Sequence, residues 1–184
     1  MAYLIQEILI YLVIAFVLGA IIGWIVCNMG ASKKIAALEA QLAAAGDTKP
    51  GTPIESIEGI GTGFGKRLKA DGITTTEALL ELCTTDAGVE RICKTVDLDA
   101  NTVRNWGTMA DLMRIKGLGG QWAELMWRAG VRNVQDLAQR EIVSLRTKMR
   151  EINDAEHRVA ELPGEKRVTK FIAQAGELDP VLPD

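Results

Sequence analysis

Residues 57–73 read IEGIGTGFGKRLKADGI, and residues 115–131 read IKGLGGQWAELMWRAGV. The two stretches align without a gap at an offset of 58 residues. Ile57 matches Ile115, Gly59 matches Gly117, Gly61 matches Gly119 and Gly72 matches Gly130. Apolar positions correspond as well: Ile60 with Leu118, Phe64 with Trp122, Leu68 with Met126 and Ile73 with Val131. The spacing predicts a helical hairpin at each stretch. A short helix ends at the first glycine of each pair, and the apolar residue between the glycines turns inward. The hairpin glycines, Gly59 and Gly61 in one stretch and Gly117 and Gly119 in the other, allow backbone angles that other residues resist. A second helix follows, with Gly65 or Ala123 where the two helices press together, and Gly72 or Gly130 stops it as a C′ residue.

Capping signals extend this frame outward. Thr52-Pro53-Ile54-Glu55 reads as a capping box with proline at the first helical position. Thr74-Thr75-Thr76-Glu77 reads as another, opening the helix EALLELC, and Asp99 is placed to cap ANTVRNWGTMADLM. Further helices are predicted over about 86–95, 134–139, 141–155 and 165–176. Nowhere does apolar–polar alternation mark a strand. The fold class is therefore all-α: a compact tandem domain over 52–178, in units of about 52–110 and 111–178, with a tail at 179–184.

Before this domain lies ILIYLVIAFVLGAIIGWIVC, from Ile8 to Cys27, with no charged residue. About 20 apolar residues at 1.5 Å each span a hydrocarbon core of about 30 Å. Residues 1–30 thus read as a single transmembrane anchor. A cleaved leader fits poorly, because Glu7 and no basic residue precede the run. Lys33 and Lys34 just after it place the C-terminal part in the cytoplasm. Ala15, Gly19 and Gly23 form a small-residue face on which another membrane helix can pack closely. SKKIAALEAQLAAA, from Ser32 to Ala45, is rich in helix formers, with Ile35, Leu38 and Leu42 at heptad spacing. It reads as a short helical stalk. GDTKPGTP then breaks the helix, so residues 31–51 form stalk and linker.

The pattern apolar-x-Gly-apolar-Gly-x-x-x-small resembles the helix-hairpin-helix motif. The longer runs IEGIGTGFGKRLKADGITTTEALLELC, NWGTMADLMRIKGLGGQWAELMWRAGVRNVQDLAQR and VAELPGEKRVTKFIAQAGEL resemble bacterial domain-of-unknown-function family 4332. The resemblance covers about residues 54–178. It implies a tandem helix-hairpin-helix domain, similar to proteins described as predicted flap-endonuclease-like helix-three-turn-helix. With the anchor, it implies a single-pass protein of the bacterial inner membrane. Members are often described as DNA-binding, which implies a phosphate-binding hairpin but no demonstrated site. Gly63, Phe64 and Gly65 stand where proline, a basic residue and alanine are more usual, which loosens the start of the second helix.

The chemistry-bearing residues argue against catalysis. Cys27, Cys83 and Cys93 are an odd set without a close pair, and His157 is the one histidine, so neither a disulfide framework nor a zinc site is expected. Asp71, Asp86, Asp97, Asp99 and Asp111 are scattered rather than clustered as a two-metal nuclease requires. No enzyme activity, cofactor, metal or small-molecule substrate is expected.

Binding remains. In the first hairpin, the amides of Thr62 and Gly63 and the side chains of Lys66, Arg67 and Lys69 are the candidate phosphate contacts. The second hairpin carries Glu124 and no base at that place. Residues 52–184 hold 18 Lys and Arg against 21 Asp and Glu, whereas nucleic-acid binders show a basic excess. Trp106 and Trp122 read as core. Trp127, in the slot of Lys69, is expected outward as a candidate partner contact. The sequence therefore points to a membrane-anchored, non-catalytic interaction module, an accessory or assembly subunit whose partners are the bilayer and other membrane-protein subunits. The alternative is a membrane-tethered DNA- or RNA-binding protein.

Overall fold

Residues 51–182 are described by a computed structural model, and they form eight α-helices with no strand. The expected anchor and stalk, and with them Ala15, Gly19 and Gly23, lie outside the described residues. Among the described residues no helix is long and apolar enough to cross a membrane. The helices are α1 (Thr62–Ala70), α2 (Thr76–Cys83), α3 (Asp86–Val96), α4 (Ala100–Leu112), α5 (Gly120–Arg128), α6 (Val134–Ala138), α7 (Ile142–Glu156) and α8 (Glu165–Glu177).

The repeat is larger than the two hairpins. In the first half α1 packs on α3, α2 on α4 and α3 on α4. In the second half α5 packs on α7, α6 on α8 and α7 on α8, and α4 against α5 joins the halves. Each half is thus one hairpin helix, one short helix and two closing helices. One continuous core runs through both, with Ile57, Leu68 and Ile92 buried in one half and Ile115, Met126 and Leu137 in the other.

The inward residue of each hairpin is buried as its position predicts: Ile60 and Leu118. The glycines flanking it differ in role. Gly59 and Gly117 have φ of +90° and +86°, where a side chain is strained. A Cβ at Gly59 would also stand 3.3 Å from Trp106 Nε1. Gly61 and Gly119 instead have extended backbone and cap α1 and α5 without a side chain, and a Cβ on either meets nothing within 4 Å. The expectation that both glycines of each pair supply unusual angles is therefore corrected: the first of each pair does.

The far ends of the hairpin helices match it in detail. Gly72 N–H donates to Lys69 O at 3.1 Å and Ile73 N–H to Leu68 O at 2.9 Å. Gly130 N–H donates to Trp127 O at 2.9 Å and Val131 N–H to Met126 O at 3.0 Å. Both pairs are Schellman caps, which satisfy carbonyls that the helix end leaves open. The next helix is capped in the same register: Thr75 accepts from Ala78 N–H and Asn133 from Asp136 N–H.

Two capping expectations need correction. Thr52 to Glu55 opens only a 3-10 turn, Ile54–Ser56, with no side-chain cap bond. The cause is long-range pairing. Thr76 N–H donates to Thr52 O at 2.9 Å and Ile54 N–H to Thr74 O at 3.1 Å, so the chain at Pro53 is held extended against Thr75. In the second box the cap is Thr75 rather than Thr74, and Glu77 accepts from Thr52 N–H at 3.3 Å. Asp99 does cap its helix, accepting from Thr102 N–H at 3.0 Å.

Gly117→Ala is expected to destabilise the full chain by about 1–2 kcal/mol, the cost of a side chain in the left-handed region. Gly119→Ser, at an extended N-cap in open space, is expected to be neutral or stabilising by a few tenths of a kcal/mol. Urea denaturation followed by circular dichroism measures both; equal losses would contradict the distinction.

Candidate functional site

The first hairpin presents its helix start to solvent, for Gly61, Thr62 and Gly63 are exposed. Its cations are less available. Arg67 Nη1 donates to Val96 O at 2.9 Å, satisfying a carbonyl at the end of α3, and its guanidinium lies 5.7 Å from the Phe64 ring centroid. Lys69 pairs with Glu55 at 2.5 Å. Lys66 is exposed and, among the described residues, makes no ion pair.

The second hairpin is covered where the first is open. A Cβ at Gly120 would overlap the Ser56 carbonyl oxygen, so the start of α5 presses on the 3-10 turn of the first half. Further along α5, Glu124 is 8% exposed. Arg128 pairs with it at 3.0 Å and Arg158 at 3.6 Å, and both arginines also meet Glu156. This network neutralises the carboxylate within the fold rather than offering charge to a phosphate. The aromatics of the hairpins are structural: Phe64 packs on Trp106 and Trp122 on Phe171, with ring centroids 5.6 and 6.0 Å apart. Trp106 comes from α4 and Phe171 from α8, the closing helix of each half.

Trp127 is half-buried rather than fully outward. It helps to wall a cleft of about 550 Å³ between the two halves. One wall is a face of α4 carrying Asn101, Arg104, Asn105 and Thr108, and the opposite wall carries Asn133, Gln135 and Gln139 from α6 and its flanks. Residues at i, i+3, i+4 and i+7 share one side of a helix, so the α4 set is a polar stripe. Gln135 is unusual in that both polar atoms of its amide are buried without a partner among the described residues. The sequence singled out Trp127 alone from this group. The α4 stripe was legible as a helical period, but nothing in the sequence says which polar stripe faces another element.

The cleft holds one thiol, Cys83, whose pKa burial pushes up to about 12. It is therefore protonated at neutral pH and a poor nucleophile. Among the described residues no group of three or more His, Cys, Asp or Glu side chains is gathered in a form that could hold a metal ion. What the cleft offers is hydrogen-bonding amides, one indole and two guanidinium groups, those of Arg104 and Arg132.

Residues 58–178 match the family described as Domain of unknown function (DUF4332). The chain belongs to this family. The DUF4332 match begins at the first hairpin and ends just after α8, so it takes in both four-helix halves and the cleft between them. No curated protein and no solved structure matches the chain.

One buried group sets the position of the α6 wall. Asp111 is 0% exposed and takes the Val134 N–H at 2.8 Å and Arg114 Nη1 at 2.7 Å. In the first half the corresponding N–H, that of Thr76, finds a backbone carbonyl instead. Asp111→Ala leaves both donors unanswered and is expected to cost about 3–5 kcal/mol, read from urea denaturation. Asp111→Asn, which retains an acceptor for Val134, is expected to lose less.

Acid sensitivity follows from several carboxylates. Asp136, on the cleft wall, is pushed up by burial, but the two-point hydrogen bond from Arg140, the Arg132 N–H and the charges of both arginines together outweigh this, and its pKa is lowered. Asp71 is lowered by its bond from Arg91, Asp99 by Thr102 and Glu141 by the Ser144 and Val143 N–H groups. Each is more acidic folded than unfolded. Its contribution is complete above the unfolded value and lost as pH falls through the folded one. The thermal midpoint is expected to be flat from about pH 6 to 8 and to fall below roughly pH 4, and Asp136→Asn is expected to shallow that fall.

Proposed function

We propose that this chain is a membrane-anchored, non-catalytic interaction module, an accessory or assembly subunit of a larger membrane protein complex in the bacterial inner membrane. The observation that carries the reading is how the hairpins spend their polar groups. A hairpin that grips a phosphate keeps its helix-start amides and nearby cations facing outward. Here Arg67 closes α3 and Lys69 answers Glu55. The start of α5 is pressed on Ser56, and Glu124 occupies the arginines near it. The glycine turns serve as the frame that joins two halves. The apolar run from Ile8 to Cys27 supports the anchor.

The second reading, a membrane-tethered DNA- or RNA-binding protein, draws on the open start of α1 at Thr62 and Gly63, with Lys66 beside it. A phosphate grip by this one hairpin has few partners to offer.

The two readings separate in a titration of detergent-solubilised full chain against labelled duplex DNA and single-stranded RNA, from about 20 to 200 mM salt. No saturable binding at the lowest salt is the expected result. Tight binding that weakens steeply with salt and collapses in Lys66→Glu would replace the first reading with the second. Alkaline carbonate extraction is expected to leave the full chain in the membrane pellet and to release a chain lacking residues 1–30.

A further inference from the structure

The cleft between α4 and α6 carries three features that belong together. Its walls are lined by side-chain amides, among them Asn101 and Asn105 facing Gln135 and Gln139. An amide offers both a donor and an acceptor, the same pair that a peptide main chain presents. The buried amide of Gln135 is left with neither half paired among the described residues. The chain's own tail also reaches this place. Arg114 Nη2 holds the Asp179 carbonyl at 3.0 Å, and Leu182, three residues on, lies at the cleft wall. Leu182 precedes Pro183, which biases it to an extended backbone. The tail thus already sets one apolar side chain against the cleft.

The geometry points to a docking site for an extended peptide of a partner protein, one that carries an apolar side chain within a few residues of a carboxylate. This inference rests on the reading of the domain as a protein-binding module and names its site. The length fits: from Asn101 to Thr108 the α4 stripe rises about 10 Å, which spans about three residues of extended chain. The cleft volume of about 550 Å³ lies in the range of sites that enclose a short ligand. Trp127 gives the apolar side chain a flat, half-buried surface.

Charge selects the carboxylate. Asp136 is the one acidic residue on the cleft wall, and Arg140 engages both of its oxygens. Arg104 pairs with Asp86 at 2.7 Å, but Asp86 is 87% exposed, and such a pair exchanges readily. Arg132 is exposed and, among the described residues, makes no ion pair within 4 Å, though its charge also acts on Asp136. The open charge of the cleft is therefore positive. Leu182, with Asp179 three residues before it, carries the same pairing of an apolar side chain and a carboxylate and is the natural competitor in cis.

The test is to pan a random heptapeptide library on the detergent-solubilised full chain and titrate a labelled recovered peptide against variants. Recovered peptides are expected to share an apolar residue within three positions of Asp or Glu. Binding is expected to weaken at least tenfold in Arg132→Glu and in Trp127→Ala, and to hold or strengthen in Leu182→Ala. Arg132 is exposed, so its variant keeps the test valid where Trp127→Ala fails to fold by circular dichroism. Failure to recover any peptide, equal affinity for Arg132→Glu, or a tenfold loss in Leu182→Ala would overturn the inference and leave the interaction-module reading standing. Salt-steep duplex DNA binding lost in Lys66→Glu and kept in Arg132→Glu would instead remove that reading.

Discussion

At Gly59 and Gly117 the backbone takes φ of +90° and +86°, and the fold is arranged around those two reversals. Each aims one apolar residue, Ile60 or Leu118, into the core and starts a helix at the next glycine. That helix ends 58 residues out of step with its sister in an identical Schellman cap, and an identically placed cap opens the next helix. With entry, exit and inward residue fixed, the two closing helices of each half have one face left to cover. They cover it alike, through Trp106 against Phe64 and Phe171 against Trp122.

The halves diverge where each must be completed from outside its own hairpin. In the first, a backbone bridge from Thr52 and Ile54 to the loop before α2 does the work. In the second, the equivalent N–H finds the buried carboxylate of Asp111, held by Arg114. A backbone bridge of this kind excludes proline at its donors and otherwise depends little on side-chain identity, while a buried charge needs its partner. The second half therefore depends on particular residues at the point where α6 is set, and α6 is the wall of the cleft.

The polar groups follow the same division. Where a helix start lies open, at Thr62 and Gly63, Arg67 and Lys69 are turned to the protein itself and Lys66 alone stays outward. Where a helix start is needed to join the halves, at Gly120, absence of a side chain lets it meet the Ser56 carbonyl. Besides the open start of α1, the surface that retains unspent hydrogen-bonding capacity is the cleft between the halves.

Much of this was legible beforehand. The repeat, the all-α class, the inward residues, the Asp99 cap and the helix-stopping glycines all rest on short-range rules, where a residue's own conformational preference decides the outcome. Thr52 to Glu55 failed that reading because a strand-like pairing 24 residues away outweighed a local capping preference. Trp127 was marked by its slot in the repeat, yet its half-buried place beside Asn101, Arg104 and Gln135 was not, since those residues are distant in sequence. The sequence by itself determined the two hairpins and the helices that flank them, because glycine geometry and capping act within a few residues. Only the tertiary structure decided that α4 and α6 face each other across a cleft, because that depends on how closely Gly120 lets the halves approach and on which N–H the carboxylate of Asp111 receives.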